Sequence, residues 1–331
     1  MIETKLYWGP RGLLLHPGFK NAMRDPQRKV DLIVFKGDEW AEALDFLLKK
    51  KTYDRPFVLV SAGSDLTVPE EFFAEGKSNV SLPDDCLAWF STNVDLYKYP
   101  ELTGRIKRLP IGVDYDGKTI TTHAFVEGFG WRTLLKPSAL VEFPQYPHLQ
   151  EKQLLSLVSS LPDTYDRKLQ VYADFWVNKG YGRSFPNHKN GDSSRTLNRK
   201  EVYEIIKHNP LVVLSSYRLN RLEAWRAKSQ YMFELSIPGN GMDCFRTYEA
   251  LTLGIIVITI STVLDPLFEG LPVVIVNSLD EITLENLIKW KDKFKGAFRS
   301  GEWREKLTNR YWAEQILAEW RRFSDALGER R

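Results

Sequence analysis

Residues 233–254 read FELSIPGNGMDCFRTYEALTLG: an apolar run enters a glycine-rich turn, and a helix follows at once. That order constrains the chain strongly. A strand delivered through glycines to a helix N-terminus belongs to α/β architecture, where it presents backbone N–H groups to a phosphate. Gly239, Asn240 and Gly241 form the turn, and its glycines permit conformations and close approaches that a β-carbon would block. Asp243, Arg246 and Glu249 follow at intervals of three, within roughly a third of the helix circumference. Arg246 can fork two N–H groups onto diphosphate oxygens. Glu249, a turn deeper, is an acceptor for ribose hydroxyls. Two plainer uses remain open: Asp243 as a helix cap rather than a ligand, and Arg246 with Glu249 as a surface ion pair. The physical reading is a nucleotide-diphosphate site.

The rest of the chain repeats the strand–helix alternation. In the first half, residues 30–35 (VDLIVF), 57–60 (FVLV), 86–90 (CLAWF) and 106–111 (IKRLPI) are short apolar runs that predict strands. Residues 39–49 have helical spacing, with Trp40, Ala43, Leu44 and Leu47 on one face. Residues 125–147 carry no clear period, and a helix is expected over 150–160. In the second half, strands are expected at 169–177, 211–215, 231–236, 255–260 and 273–276. Helices are expected at 198–207, 220–228, 243–253, 284–290 and 309–323. Asn198 is the expected cap of the first of these. Alternation of this kind implies parallel strands joined by crossover helices. A length of 331 residues suits two domains of about 150 each, divided here at 1–158 and 159–331.

Composition narrows the function classes. With 46 Lys and Arg against 43 Asp and Glu, the net charge of +3 does not mark a polyanion binder, so no nucleic-acid partner is expected. The densest basic stretch, residues 179–199, is loop-like and suits either solvent or a small anion. Cys86 and Cys244 are the only cysteines and form no CxxC, so neither a zinc cluster nor a disulfide framework is expected, and a reducing, cytoplasmic setting is. The N-terminal MIETKLYWGPRG lacks the apolar core expected of a signal peptide, and the longest apolar stretch, near residues 254–260, is too short for a membrane span. The aromatic count of 10 Trp, 14 Tyr and 18 Phe fits either two cores or sugar and base stacking.

The string PGNGMDCFRTYEALTLG, followed by IVITIS and LFEGLPVVIVNSLDEI, resembles the donor-binding half of exostosin-like glycosyltransferases over roughly residues 230–285. The resemblance implies a GT-B fold, two Rossmann-like domains facing a cleft, with the acceptor in the first and a nucleotide sugar, commonly UDP-linked, in the second. It also implies inversion at the anomeric carbon, no obligatory metal, a diphosphate role for Arg246 and a ribose role for Glu249. The chain departs from the family at Ile256-Val257, where Ile-Pro-Val is common, and the anchor and stem of its secretory-pathway members are not expected here.

Inverting transfer needs a base on the side opposite the leaving group, and a two-domain cleft takes it from the first half. Asp65 is the leading candidate, because the strand at 57–60 runs into Ser61-Ala62-Gly63-Ser64-Asp65. Asp95, Asp114 and His16 are the alternatives, and capping of the next helix is the plain use of Asp65. Asn93 and Asp95, after the third strand, are the acceptor-side candidates. SAGSD, WFSTN and LPIGV are similar, more loosely, to N-terminal halves of bacterial and viral members of the same family. Asp114-Tyr115-Asp116 matches a DxD metal motif but lies away from the phosphate turn, so no metal is assigned. Arg183, within KGYGRSF, is the candidate second diphosphate clamp, its alternative being a solvated basic loop. No HxxxH or Gx-Ser-xG pattern supports a hydrolase. The rival functions are a nucleotide-sugar epimerase on the same architecture and a non-catalytic nucleotide- or sugar-binding module.

Overall fold

The computed structural model describes residues 13, 16–25, 27–36, 39–48, 55–113, 115, 147–175, 177, 183–187, 195–215 and 219–328. The strands are β1 Asp31–Lys36, β2 Phe57–Ala62, β3 Cys86–Ser91, β4 Ile106–Arg108, β5 Lys168–Ala173, β6 Val212–Leu214, β7 Tyr231–Leu235, β8 Ile256–Ile260 and β9 Val273–Val276. The helices are α1 Pro17–Arg24, α2 Trp40–Leu48, α3 Glu70–Glu75, α4 Pro147–Ser160, α5 Arg199–Ile206, α6 Arg221–Lys228, α7 Phe245–Thr252, α8 Leu284–Lys293, α9 Ala297–Ser300 and α10 Asn309–Gly328. The fold is α/β, with two wholly parallel sheets interleaved with helices, consistent with the Rossmann-like class.

The first sheet runs β1-β2-β3-β4 and the second β6-β5-β7-β8-β9. β2 is buried along its whole length, which explains its apolar run Phe57–Val60: helices cover both faces of a parallel sheet. Alternate residues serve opposite cores, as a two-residue period requires. Val58 and Val60 pack with Phe19 of α1 and Ile316 and Leu317 of α10. Phe57 and Leu59 pack with Leu44 of α2 and Phe72 and Phe73 of α3. In the second sheet, Phe233, Ile256 and Ile258 meet α5 and α8 through Val202, Ile206 and Leu287. Val257 faces the other way, toward Trp225, Tyr248 and Leu251.

α10 leaves the second sheet and docks on the first. Its Trp320 Nε1 donates to the Val30 carbonyl at 2.8 Å, and its Glu319 accepts from Lys107 at 2.9 Å. The expected stripe of Trp312, Ile316, Leu317 and Trp320 lies on the core cluster of β1–β3.

The caps agree with the sequence reading at Asn198, whose side chain accepts from the Lys200 and Glu201 N–H groups while Glu201 reaches back in a capping box. Two expected strands are shorter than their apolar runs. β4 stops at Arg108, since Pro110 has no N–H for the ladder, and β5 stops at Ala173. Helices α1, α3 and α9 have no counterpart in the sequence reading. Asp114, the DxD triplet at Asp116, Lys179 and Tyr181 lie outside the described residues.

Candidate functional site at the switch point of the second sheet

The strand order of the second sheet reverses at β5: the chain first adds β6 on one side, then returns to place β7 on the other. Ligands of open α/β sheets bind in the crevice at such a reversal, beyond the strand carboxyl ends. β7 ends at Leu235 and feeds Pro238-Gly239-Asn240-Gly241 into α7, so the glycine turn stands at that crevice.

Two arginines converge on the turn. Arg246, on the first turn of α7, donates through Nη2 to the Ile237 carbonyl at 3.2 Å. Its buried Nε has no hydrogen-bond partner among the described residues. Arg199, the first residue of α5, donates through Nε to the Pro238 carbonyl at 3.2 Å. Burial and then the neighbouring positive charge of Arg246 pull the Arg199 guanidinium down to about 10. Two partly buried cations against one turn are costly unless an anion balances them. Arg199 was not a candidate from sequence. A signal was present in its position just after the Asn198 cap, at the end of the basic stretch, but a residue there is as easily a solvated helix start.

The glycines serve side chains rather than unusual backbone angles. A β-carbon on Gly239 would lie 2.5 Å from Arg199 Nη2, and one on Gly241 2.8 Å from Asn93 Nδ2. Gly239 therefore makes room for a cation and Gly241 for a residue of the other sheet.

Asp65, after β2, faces this group from the first sheet. Its carboxyl receives a side-chain hydrogen bond from Asn240 and lies in the field of Arg183 and Arg199. Asp65 is exposed, yet the surrounding protein mass partly dehydrates its carboxyl. That dehydration raises its pKa above the ordinary value, against the opposing pull of Asn240 and the two arginines. The Asp65 loop is tied to the segment after β3: Asn93 Nδ2 donates to Ser64 O at 2.7 Å, and Gly63 N–H donates to Thr92 Oγ1 at 3.3 Å. Asp65, Asn240, Arg183, Arg199 and Arg246 thus form one cluster built from both sheets.

Five residues named from the sequence take other parts. Asn93, expected on the acceptor side, is fully buried with φ 54° and pins the two sheets together: its Oδ1 accepts the Asp243 N–H at 2.8 Å. Asp243 neither caps α7 nor points at the turn's ligand side. Its carboxylate accepts from Ile111 N at 2.7 Å, Cys244 N at 2.8 Å and Tyr248 Oη at 2.8 Å, and burial pushes it up to about 6. Asp95 structures the turn after β3, accepting from Tyr97 N at 2.9 Å and giving its own N–H to Val68 O. Glu249 turns inward, where its Oε1 accepts from Arg221 at 2.7 and 3.0 Å and its Oε2 lies 3.7 Å from Lys228. Burial alone would raise the Glu249 pKa, but the charges of Arg221 and Lys228 outweigh it and hold the carboxylate below its ordinary value. Buried lone pairs committed to two cations are not offered to a ribose. His16 caps α1, accepting from Gly18 N at 3.2 Å.

Among the described residues no group of three or more His, Cys, Asp or Glu could hold a metal ion, and no helix is long and apolar enough to cross a membrane. Fold and site together define an α/β protein with an arginine cluster at a sheet's switch point and a carboxylate facing it. No protein-family model matches the chain, and no curated protein does either.

Proposed function

We propose that the chain is an inverting glycosyltransferase of GT-B type, moving a sugar from a UDP-linked donor to a hydroxyl of a glycan acceptor. The observation that supports this best is the pairing of opposites across the cleft: Arg199 and Arg246 at the turn of the second sheet, and Asp65 from the first, bonded to Asn240. The acceptor oxygen attacks the anomeric carbon as the bond from that carbon to the diphosphate oxygen breaks. Asp65 takes the acceptor proton, and the arginines receive the charge that develops on the leaving diphosphate. A carboxylate with a raised pKa is the better base for that step. The donor's ribose is left to groups other than Glu249. Both cysteines are free and buried, a state that suits the reducing cytoplasm.

The test is a titration with UDP and UDP-sugars, followed by an acceptor screen for release of UDP. Arg246→Ala is expected to abolish UDP binding. Asp65→Asn is expected to keep UDP binding while cutting transfer by about 10²–10⁴-fold. UDP affinity unchanged in Arg246→Ala sinks the diphosphate assignment, and near-normal turnover in Asp65→Asn removes Asp65 as the base. Conversion of UDP-sugar alone to an isomer would favour an epimerase, and binding without turnover a binding module.

A further inference from the structure

Arg183 is bonded to the wrong domain for a residue of the second sheet. It follows β5, yet its Nη2 donates to both carboxylate oxygens of Glu71 on α3, at 2.5 and 2.6 Å. Its other anionic neighbour, Asp65, also belongs to the first sheet. Both ends of the ion pair are held from behind. Glu71 Oε2 accepts the Thr67 N–H at 2.7 Å. On the other side, Phe185 is buried, its N–H donates to Thr196 Oγ1 at 2.8 Å, and the Thr196 N–H returns to Phe185 O at 2.7 Å. The Arg183 guanidinium stands over the Phe185 ring at 5.1 Å. The pair itself is partly open, with the two side chains 25% and 40% exposed. An ion pair that wet contributes little, and a diphosphate offers the guanidinium the same kind of charge-assisted hydrogen bond with more negative charge than one carboxylate.

We propose that Arg183 is an exchangeable clamp, transferring from Glu71 to the donor's diphosphate, and that Glu71 thereby sets donor affinity by competing for it. This inference rests on the donor reading above. Glu71 is a positioning residue that never touches the donor: it acts only through Arg183, and it competes as a carboxylate whose other hydrogen bond, to Thr67, does not depend on the exchange.

Competition gives the opposite sign from a merely structural pair. Glu71→Gln keeps an oxygen for the Thr67 N–H but removes the charge, and it is expected to tighten UDP binding by about fivefold, read by calorimetry at low salt. Arg183→Gln is expected to weaken it by about tenfold. Adding Glu71→Gln to Arg183→Gln should then change nothing further, because the competitor has lost its object. Inorganic pyrophosphate, run alongside UDP, should show the same pattern, since the exchange involves the diphosphate alone. A Glu71→Gln variant with unchanged or weaker UDP binding overturns the competition while leaving the donor reading intact. So does a Glu71→Gln effect that survives in the Arg183→Gln background. A wild-type chain that binds neither UDP nor pyrophosphate overturns the donor reading, and the clamp with it.

Discussion

α7 carries charge into two clusters that meet on one helix and differ in how their charges are met. On its inner side, Glu249 joins Arg221, Lys228 and Glu234. Arg221 donates to Glu249 and, at 2.8 Å, to Gln150 Oε1, while Lys228 Nζ lies 2.7 Å from Glu234 Oε1. Two bases answer two acids, all of them shielded from solvent. On its outer side, Arg246 joins Arg199, and each guanidinium is bonded to a backbone carbonyl of the turn. Carbonyl dipoles do not neutralise two cations. The inner cluster is closed by direct ion pairs, with Glu234 Oε2 left unbonded among the described residues, and the outer one is open in the sense that Arg199 meets its carboxylates, Asp65 and Asp174, only through the field. Arg246 and Glu249 are three residues apart and look like one motif, yet their bonds differ: Glu249 is committed to Arg221 and Lys228, whereas Arg246, though in the field of Glu234, keeps a buried Nε with no partner among the described residues.

Stability separates the clusters most sharply. Lys228 and Glu234 are 1% and 0% exposed, and removing one partner of such a pair strands its mate without solvent. Lys228→Met is expected to destabilise the protein by about 3–5 kcal/mol, measured by urea denaturation, because Glu234 loses its bonded cation while Glu249 keeps Arg221. Replacing the partner as well, in Lys228→Met/Glu234→Leu, should recover part of the loss. Arg246→Ala in the open cluster should cost far less stability, since it also relieves the repulsion with Arg199. Equal losses in the two variants would erase the distinction between the clusters.

The sequence made the alternation of elements legible because apolar runs and caps are local signals. The capping box at Asn198 and the apolar stripe of α10 need no knowledge of the rest of the chain. The glycine turn and the start of the helix that carries Arg246 are legible for the same reason. Glu249 was not, because helical spacing puts a residue on a row of the helix without saying which layer that row meets. Arg221 and Lys228, which claim it, come from α6. Asn93 illustrates another limit: its left-handed backbone and its bond to Asp243, 150 positions along the chain, arise only when the sheets are assembled. Arg199 became visible only once the strand order placed the start of α5 beside the turn after β7.

The open cluster can be sharpened through Arg199, whose role owes nothing to any motif. If it supplies a charge-assisted hydrogen bond to the diphosphate, Arg199→Ala is expected to weaken UDP binding by about 10–100-fold with little change in urea midpoint. Arg199→Lys should restore only part of the affinity, because an ammonium keeps the charge and loses the fork. Affinity unchanged in Arg199→Ala would confine the phosphate site to Arg246 and the turn, leaving Arg199 as a brace for Pro238.

A pH slope locates strain in the buried acids. Burial pushes Glu234 up to about 7, against the attraction of Lys228, and Asp243 up to about 6, against its three hydrogen bonds. Both folded-state values exceed the ordinary carboxylate values, so the folded protein holds these protons more tightly than the unfolded chain. The resulting stabilisation is complete below about pH 4 and is lost as pH rises through 6 and 7. For Asp243 the loss between pH 5 and pH 8 is about 1 kcal/mol, and the urea midpoint should fall over that range. Glu234→Gln should remove the part of the slope that belongs to the closed cluster, and Asp243→Asn the part that belongs to the joint between the sheets, where Ile111 and Tyr248 bond one carboxylate oxygen. A midpoint that rises from pH 5 to pH 8 in the parent chain, or a slope that neither substitution reduces, would mean that hydrogen bonds and paired cations outweigh burial at both acids. The closed cluster would then be closed energetically as well as geometrically.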